Sequence, residues 1–379
     1  MNWQAAALSD QPGEHPSQPA QAGFVAQPLG AVSTASPAGT HALLITGGAG
    51  FIGSNFVHYL LERYPHYAVT VLDKLTYAGS RENLGAVESH PGFRFLQGDI
   101  CDPAAVAQAI QGCDWLVNFA AETHVDRSII APGAFLKTDV EGTFVLLEAA
   151  RTHHISRFLQ ISTDEVYGDA RSPDGASRPS LETDALMPLS PYAASKAGAD
   201  RLVFSYWATY GLPAIISRCS NNYGAYQYPE KQLPLFILNA LHDRPLPVYG
   251  DGQHTRDWIH VRDHCAALDA LLHAPADQVC GQVFNIGAGQ ERSILRNAQA
   301  VLDILGKPHS LITPVIDRPG HVRRHAVNSD KLRQTLGWEP EIPFEEGLRQ
   351  TIAWYQSHPD WLAAILARRD SFLEKALHL

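Results

Sequence analysis

No stretch of this 379-residue chain stays apolar for the ~20 residues that a membrane-crossing helix needs. The first residues lack both the Lys or Arg and the continuous apolar run of a secretion signal. Cysteine is scarce: Cys101, Cys113, Cys219, Cys265 and Cys280 form an odd set without a CxxC pair, so neither a disulfide framework nor a zinc site is expected. Nor is there an excess of positive charge. With 29 basic against 39 acidic residues the formal charge is −10, which argues against nucleic acid as a partner while leaving room for a local anion site. Hydrophobic residues at 45% and charged residues at 18% exclude fibrous and wholly disordered classes. The expectation is a cytoplasmic enzyme with no membrane contact and no metal.

Residues 1–40 contain five Pro, no Lys or Arg, and no folding period, and they read as a disordered extension. From His41 onward, short apolar runs (LLIT, AVTVLD, FRFLQGDI, WLVNFAA, RFLQIST, PAIISR, QVFNIG) alternate with segments long enough for helices. That cadence predicts an α/β fold with a doubly wound parallel sheet of Rossmann type, covered on both faces. The dinucleotide-binding part is expected over 41–220, with segments around 256–287 returning to it. Gly and Pro crowd Asn221–Gly252 and Pro314–Gly320, so 221–356 is expected to build mainly a smaller C-terminal α/β lobe for substrate. Ala, Leu and charged residues from Trp361 to Leu379 predict an exposed amphipathic helix within 357–379.

The run LLIT leads into Thr46-Gly47-Gly48-Ala49-Gly50-Phe51-Ile52-Gly53, and Ser54–Tyr64 can continue as a helix. Glycine lets backbone approach a pyrophosphate closely, and a helix N-terminus offers free N–H groups. Asp73 follows Gly53 by 20 residues, at the end of the next apparent strand, where a carboxylate can accept ribose hydroxyls. Its charge favours NAD over NADP, an inference that the adjacent Lys74 weakens. Asp99 and Ile100, after the third strand, are candidates for the adenine. A Gly-rich turn and a surface Asp are ordinary one at a time; strand, turn, helix, strand and acid in this order point to a dinucleotide.

Tyr192 and Lys196 lie four residues apart in SPYAASKAGADRLV, a segment of helical spacing whose start is marked by Ser190-Pro191, so both face one side. A phenol is a poor base near neutrality, but an ammonium and a cationic nicotinamide both favour the phenolate. Alone, the pair is an ordinary exposed helix feature; beside a dinucleotide motif it becomes a hydride-transfer pair. Thr163, at the end of RFLQIST and about 30 residues upstream, can supply an orienting hydroxyl.

Together TGGAGFIG, the YxxxK pair, ISTDEVYG, AAETHVDRS, CSNNYGAYQYPEK, RDWIHVRDH and DRPGHVRR resemble the extended short-chain dehydrogenase/reductases, and among them the nucleotide-sugar 4,6-dehydratases, over nearly all of 41–356. The resemblance implies NAD as cofactor and dTDP-glucose as substrate. It implies that Tyr192 deprotonates the C4 hydroxyl, Glu165 removes the C5 proton and Asp164 protonates the departing C6 hydroxyl. Neighbouring carboxyl groups can divide such work if their environments separate their pKa values. Thr123, Thr163, Asn221, Lys231, Arg256, Arg318 and His321 are implied to face the nucleotide sugar. Thr76, Ala120, Thr138 and Asn222 join the glycines, Phe51, Ile52, Asp73, Lys74, Asp99, Ile100, Tyr192 and Lys196 around the cofactor.

The chain departs from the family pattern at Ala225, where Pro is usual, at His260, where Tyr is usual, and at Ile294, where an Asn often contacts the nucleotide. The last change leaves UDP- and CDP-glucose as alternatives. Two other readings compete: an NAD-dependent epimerase or decarboxylase acting on a nucleotide sugar, for which Asp164 and Glu165 are the discriminating residues, and a non-catalytic dinucleotide-sensing or scaffold protein, against which Tyr192, Lys196, Asp164 and Glu165 argue. His260 and His264 are four apart but lack HExxH and a third ligand. Cys219 reads as a buried small side chain, with no base predictably near. The family often dimerises through two helices per subunit. Here these would be about 133–152 and 191–210, where Phe135, Val145, Leu146, Leu202 and Phe204 exceed one core-facing stripe, so a homodimer is expected.

Overall fold

The computed structural model describes residues 39–170, 177–317 and 320–368. The readings that fall on residues 1–38, on Arg318 and on 369–379 lie outside them. All seven apolar runs are strands of one parallel sheet, in the order Val283–Ile286, Ala214–Cys219, Arg157–Thr163, Trp115–Asn118, Ala42–Thr46, Ala68–Asp73, Phe93–Gln97. Strand order reverses beside Ala42–Thr46, so the crevice at the carboxyl ends of this strand and of Trp115–Asn118 is open to a ligand.

Side-chain alternation builds a core on each face. Leu43 and Ile45 point to one side, against Phe56 and Leu60 of the helix Phe51–Arg63 and Leu268 and Leu272 of Val261–His273. Leu44 points to the other, with Leu146 and Leu147 of Thr143–Thr152 and Val203 of Pro191–Tyr210. Burial on both faces explains why these strands read as continuous apolar runs.

A further core gathers Tyr223, Phe236, Val248, Trp258, Val301 and Phe344. Around it lie a sheet of Glu291–Ser293, Thr255–His260, Arg324–His325 and Asn221–Tyr223, and a parallel pair of Leu246–Tyr249 with Ile312–Val315. Pro314, read above as a turn signal, sits instead in that pair; it lacks an N–H to donate, and an edge strand tolerates this. The helix Pro359–Leu366 is also not simply exposed: Trp361 and Ile365 are buried in this third core. Its pattern revealed one apolar stripe but not the partner that covers it. Among the described residues, no helix is long and apolar enough to cross a membrane.

Candidate active site

The Gly-rich turn leaves Ala42–Thr46 and enters a helix that begins at Phe51, three residues earlier than the sequence suggests, so Phe51, Ile52 and Gly53 form its first turn. Gly50 caps it without a side-chain hydrogen bond, and Gly50, Phe51, Ile52 and Gly53 all line the cavity. Glycine is required for packing here. A Cβ on Gly47 would come within 2.5 Å of Ala120 N, and one on Gly53 within 2.3 Å of Gly47 O.

Asp73 ends its strand buried, accepting from Ala49 N at 2.9 Å and from Leu75 N at 2.8 Å. Burial raises its pKa while both amide bonds oppose that shift. Lys74 and Asp99, both assigned to the cofactor by sequence, meet each other: Nζ to Oδ2 is 2.7 Å.

The other half of the site hangs on Arg157–Thr163 and the single turn Asp164–Tyr167 that follows it. Thr163 accepts from Glu165 N, which caps the turn, and donates to Asp164 Oδ1 at 3.3 Å. Asp164 is 3% exposed, and its Oδ2 has no hydrogen-bond partner among the described residues. Burial pushes its carboxyl up to about 8; the Glu165 charge adds to the shift and Arg256 opposes it. A neighbouring pair of acids is thereby split, with Asp164 holding a proton near neutrality.

Tyr192 and Lys196 lie on Pro191–Tyr210, which Ser190 caps through Ala193 N at 3.1 Å with Pro191 at its first position, as predicted. Lys196 is buried and donates to Ile161 O at 2.7 Å. Burial, then the Glu165 and Asp139 charges, hold the Tyr192 phenol well above its usual range, against a hydrogen bond with Thr163. Protein groups alone therefore disfavour the phenolate. A positive charge brought by a ligand would oppose that shift.

Arg218 fastens this half together. It bonds Asp200 Oδ2 at 2.8 Å, one turn beyond Lys196, and Tyr167 OH at 2.7 Å, while Tyr167 donates to Asn285 Oδ1 at 2.8 Å. The turn Asp164–Tyr167, the helix and two strands thus share one buried network.

One cavity of about 700 Å³ is lined by every described residue that sequence assigned to chemistry, cofactor or substrate. Gly47, Gly50, Phe51, Ile52, Gly53, Asp73, Lys74, Thr76, Asp99, Ile100, Ala120 and Thr138 lie at the sheet-crevice end. Thr163, Asp164, Glu165, Tyr192 and Lys196 line it as well, with Thr123, Asn221, Asn222, Lys231, Arg256 and His321. Asn222 is partly committed elsewhere, donating to Ser220 O at 3.0 Å and facing His264 Nδ1 at 2.9 Å. Ile294, the departure from the family pattern, lines the cavity and presents only apolar surface.

Several residues escaped the sequence reading. Asp139 accepts from Ser195 Oγ at 2.5 Å and from Glu122 N at 3.1 Å, so it joins the helix of Lys196 to a cavity loop. Tyr77 donates to Thr123 O at 2.6 Å beneath the Arg127 guanidinium, 3.6 Å from its ring, and Arg127 pairs with Glu230 at 2.7 Å. Arg127 and Glu230 lay within quoted motifs, which was the available signal. His321, which the sequence reading did assign, has two neighbours that it did not: His254, Asp317 and His321 group their ligand-type atoms within 4.8 Å. The two rings stack at 3.8 Å about Asp317, which hydrogen-bonds His321 at 2.6 Å; burial lowers the His254 pKa, and the Asp317 charge opposes that shift.

The chain matches the family model described as GDP-mannose 4,6 dehydratase over residues 44–351. It is 45% identical over 324 residues to a dTDP-glucose 4,6-dehydratase of Actinoplanes sp., covering 84% of this chain and 99% of the relative. It is 50% identical over 313 residues to the low-salt glycan biosynthesis protein Agl12 of Haloferax volcanii, covering 83% and 98%. Among solved structures, the dTDP-glucose 4,6-dehydratase DesIV of Streptomyces venezuelae, with NAD bound, superposes with a TM-score of 0.81 at 44% identity, over 86% of this chain and 99% of that one.

Proposed function

Since the chain belongs to the GDP-mannose 4,6-dehydratase family, we infer that it is an NAD-dependent hydro-lyase that converts dTDP-glucose to dTDP-4-keto-6-deoxyglucose and water. The observation that carries this reading is the buried Asp164, protonated near neutrality beside Glu165, in the same cavity as Tyr192 and Lys196. The glycine turn, the uncapped helix start and Asp73 fit a dinucleotide.

Bound NAD supplies a hydride acceptor for C4 and gives the same hydride back to C6, so it is not consumed. Tyr192 takes the C4 hydroxyl proton, and Lys196 supplies a nearby positive charge. The new ketone acidifies C5–H; Glu165 takes that proton while Asp164 gives its own to the C6 hydroxyl, which leaves as water. Once C6 has received hydride, a proton returns to C5. Lys231 and Arg256 answer the diphosphate charge, and Arg318 is proposed to join them. Ile294 offers the base no hydrogen bond, so preference for thymine rests on shape and apolar contact.

Incubation with dTDP-, UDP- and CDP-glucose in parallel, followed by mass spectrometry, tests the reading. The expected result is loss of one water from the dTDP sugar. Unchanged mass with a new stereoisomer marks an epimerase, and NAD binding without turnover marks a sensor.

We further propose a cytoplasmic homodimer. Phe135 and Leu146 turn into the core, but Leu136, Phe144, Phe204, Trp207 and Tyr210 stand exposed on Leu136–Thr152 and Pro191–Tyr210. Such apolar surface on two adjacent segments suits an isologous contact. Sedimentation at micromolar concentration should give a dimer, and Phe144→Asp with Phe204→Asp should give monomer; a monomeric wild type overturns the proposal.

A further inference from the structure

The segment beyond residue 351, where the family match stops, reaches back to the cofactor half of the cavity at two independent points. At the first, Arg368 Nη1 donates to Gly79 O at 2.5 Å, and Nη2 donates to Thr76 O at 3.0 Å and Leu75 O at 3.4 Å. Three carbonyls of one loop converge on a single guanidinium, whose planar fork carries enough N–H groups to serve them all. The loop follows Asp73, and its Thr76, Ala78 and Gly79 line the cavity.

Its shape is not one that a free chain would hold. Leu75 has φ 57°, a left-handed conformation that costs free energy for a branched side chain. Two groups clamp it: Asp73 Oδ1 accepts its N–H, and Arg368 caps its carbonyl. Gly79 packs so closely that a Cβ there would lie 2.8 Å from Asp73 Oδ1.

At the second point, Trp361 Nε1 donates to Asn83 Oδ1 at 2.7 Å, and Asn83, 1% exposed, donates to Ala49 O at 2.8 Å. Ala49 belongs to the Gly-rich turn, and its own N–H goes to Asp73 Oδ2. A continuous hydrogen-bonded path therefore runs from the indole of a C-terminal helix to the turn proposed to receive the pyrophosphate. Arg368 also brings its positive charge toward Asp73.

We propose that the segment Pro359–Arg368 is a clasp on the NAD site, in which Arg368 and Trp361 are positioning residues that set the ribose loop and the Gly-rich turn. This rests on the NAD-binding reading above. The cofactor is held by backbone geometry at both places, and the clasp fixes that geometry without touching the cofactor.

The test measures NAD and dTDP affinity on separate samples of wild type, Arg368→Gln, Arg368→Lys and Trp361→Phe, together with thermal unfolding. Removing a charged hydrogen-bond donor to these carbonyls should weaken NAD about tenfold in Arg368→Gln. Arg368→Lys, which keeps the charge and part of the bonding, should recover some of that loss. Trp361→Phe keeps the packing and loses the indole N–H, so it should also weaken NAD severalfold, while dTDP affinity stays at the wild-type value in all three. NAD affinity within twofold of wild type in both Arg368→Gln and Trp361→Phe would overturn the clasp. Equal losses of NAD and dTDP affinity with a lower unfolding temperature would overturn it too, by marking a helix that only stabilises the fold. A wild type that fails to bind NAD at all removes the underlying reading, and the clasp with it.

Discussion

Tyr192→Phe should lower kcat about 1,000-fold while leaving NAD and dTDP affinity near wild type, because it deletes one proton acceptor and little packing volume. The phenol is held above its usual range by burial and by the Glu165 and Asp139 charges, so in the apoenzyme it should stay protonated around neutral pH. Binding of the oxidised cofactor adds positive charge and should bring the phenolate within reach. Difference absorbance of wild type against Tyr192→Phe should accordingly show a tyrosinate signal that appears at lower pH with NAD than without it. A variant that keeps wild-type kcat would remove Tyr192 from the oxidation step.

The second large effect concerns the acid. Asp164→Asn should lower kcat at least about 100-fold, since amide cannot protonate the leaving hydroxyl. In the wild type, the rate should fall as pH rises through about 8, where Asp164 loses its proton. The same group carries a stability signature with a fixed sign. Its folded pKa lies above the ordinary 3.8, so its favourable contribution is complete below about 4 and is lost as pH rises through about 8. Asp164→Asn should be less pH-sensitive and more stable than wild type at the alkaline end, as measured by unfolding midpoints across that range. Glu165→Gln separates the partner role: solvent deuterium should no longer enter C5, although NAD still binds. Full labelling in that variant would assign the base elsewhere.

What could be read from sequence follows from range. The inner sheet strands were legible because burial on both faces makes them short, mostly apolar runs, the edge strand Phe93–Gln97 being less buried, and Tyr192 and Lys196 were legible because one helix carries both. The Gly-rich turn was equally local; only the start of its helix moved, since Phe51 and Ile52 favour neither turn nor helix strongly. Other contacts span distances that no motif encodes. Ser195 meets Asp139 across 56 positions, Arg127 meets Glu230 across 103, and Trp361 meets Asn83 across 278. The stretch 133–152, read as one helix, instead has a π-helical part at Leu136–Gly142, which places Thr138 and Asp139 toward the site. Nothing in the residue pattern announces the extra residue per turn.

The strand Val283–Ile286 completes the large sheet only after the chain has left it at Cys219 and built about half of the third core, from Tyr223 to Trp258. A fragment cut at residue 220 would therefore present Ala214–Cys219 as a bare edge, with unpaired N–H and C=O groups ready to join another chain. A single crossover there would instead pair Ala214–Cys219 of one parent with the last sheet strand of the other. For one parent to supply all seven strands, the stretch between Cys219 and Val283 and the stretch after Ile286 must be exchanged together, since the third core draws on both.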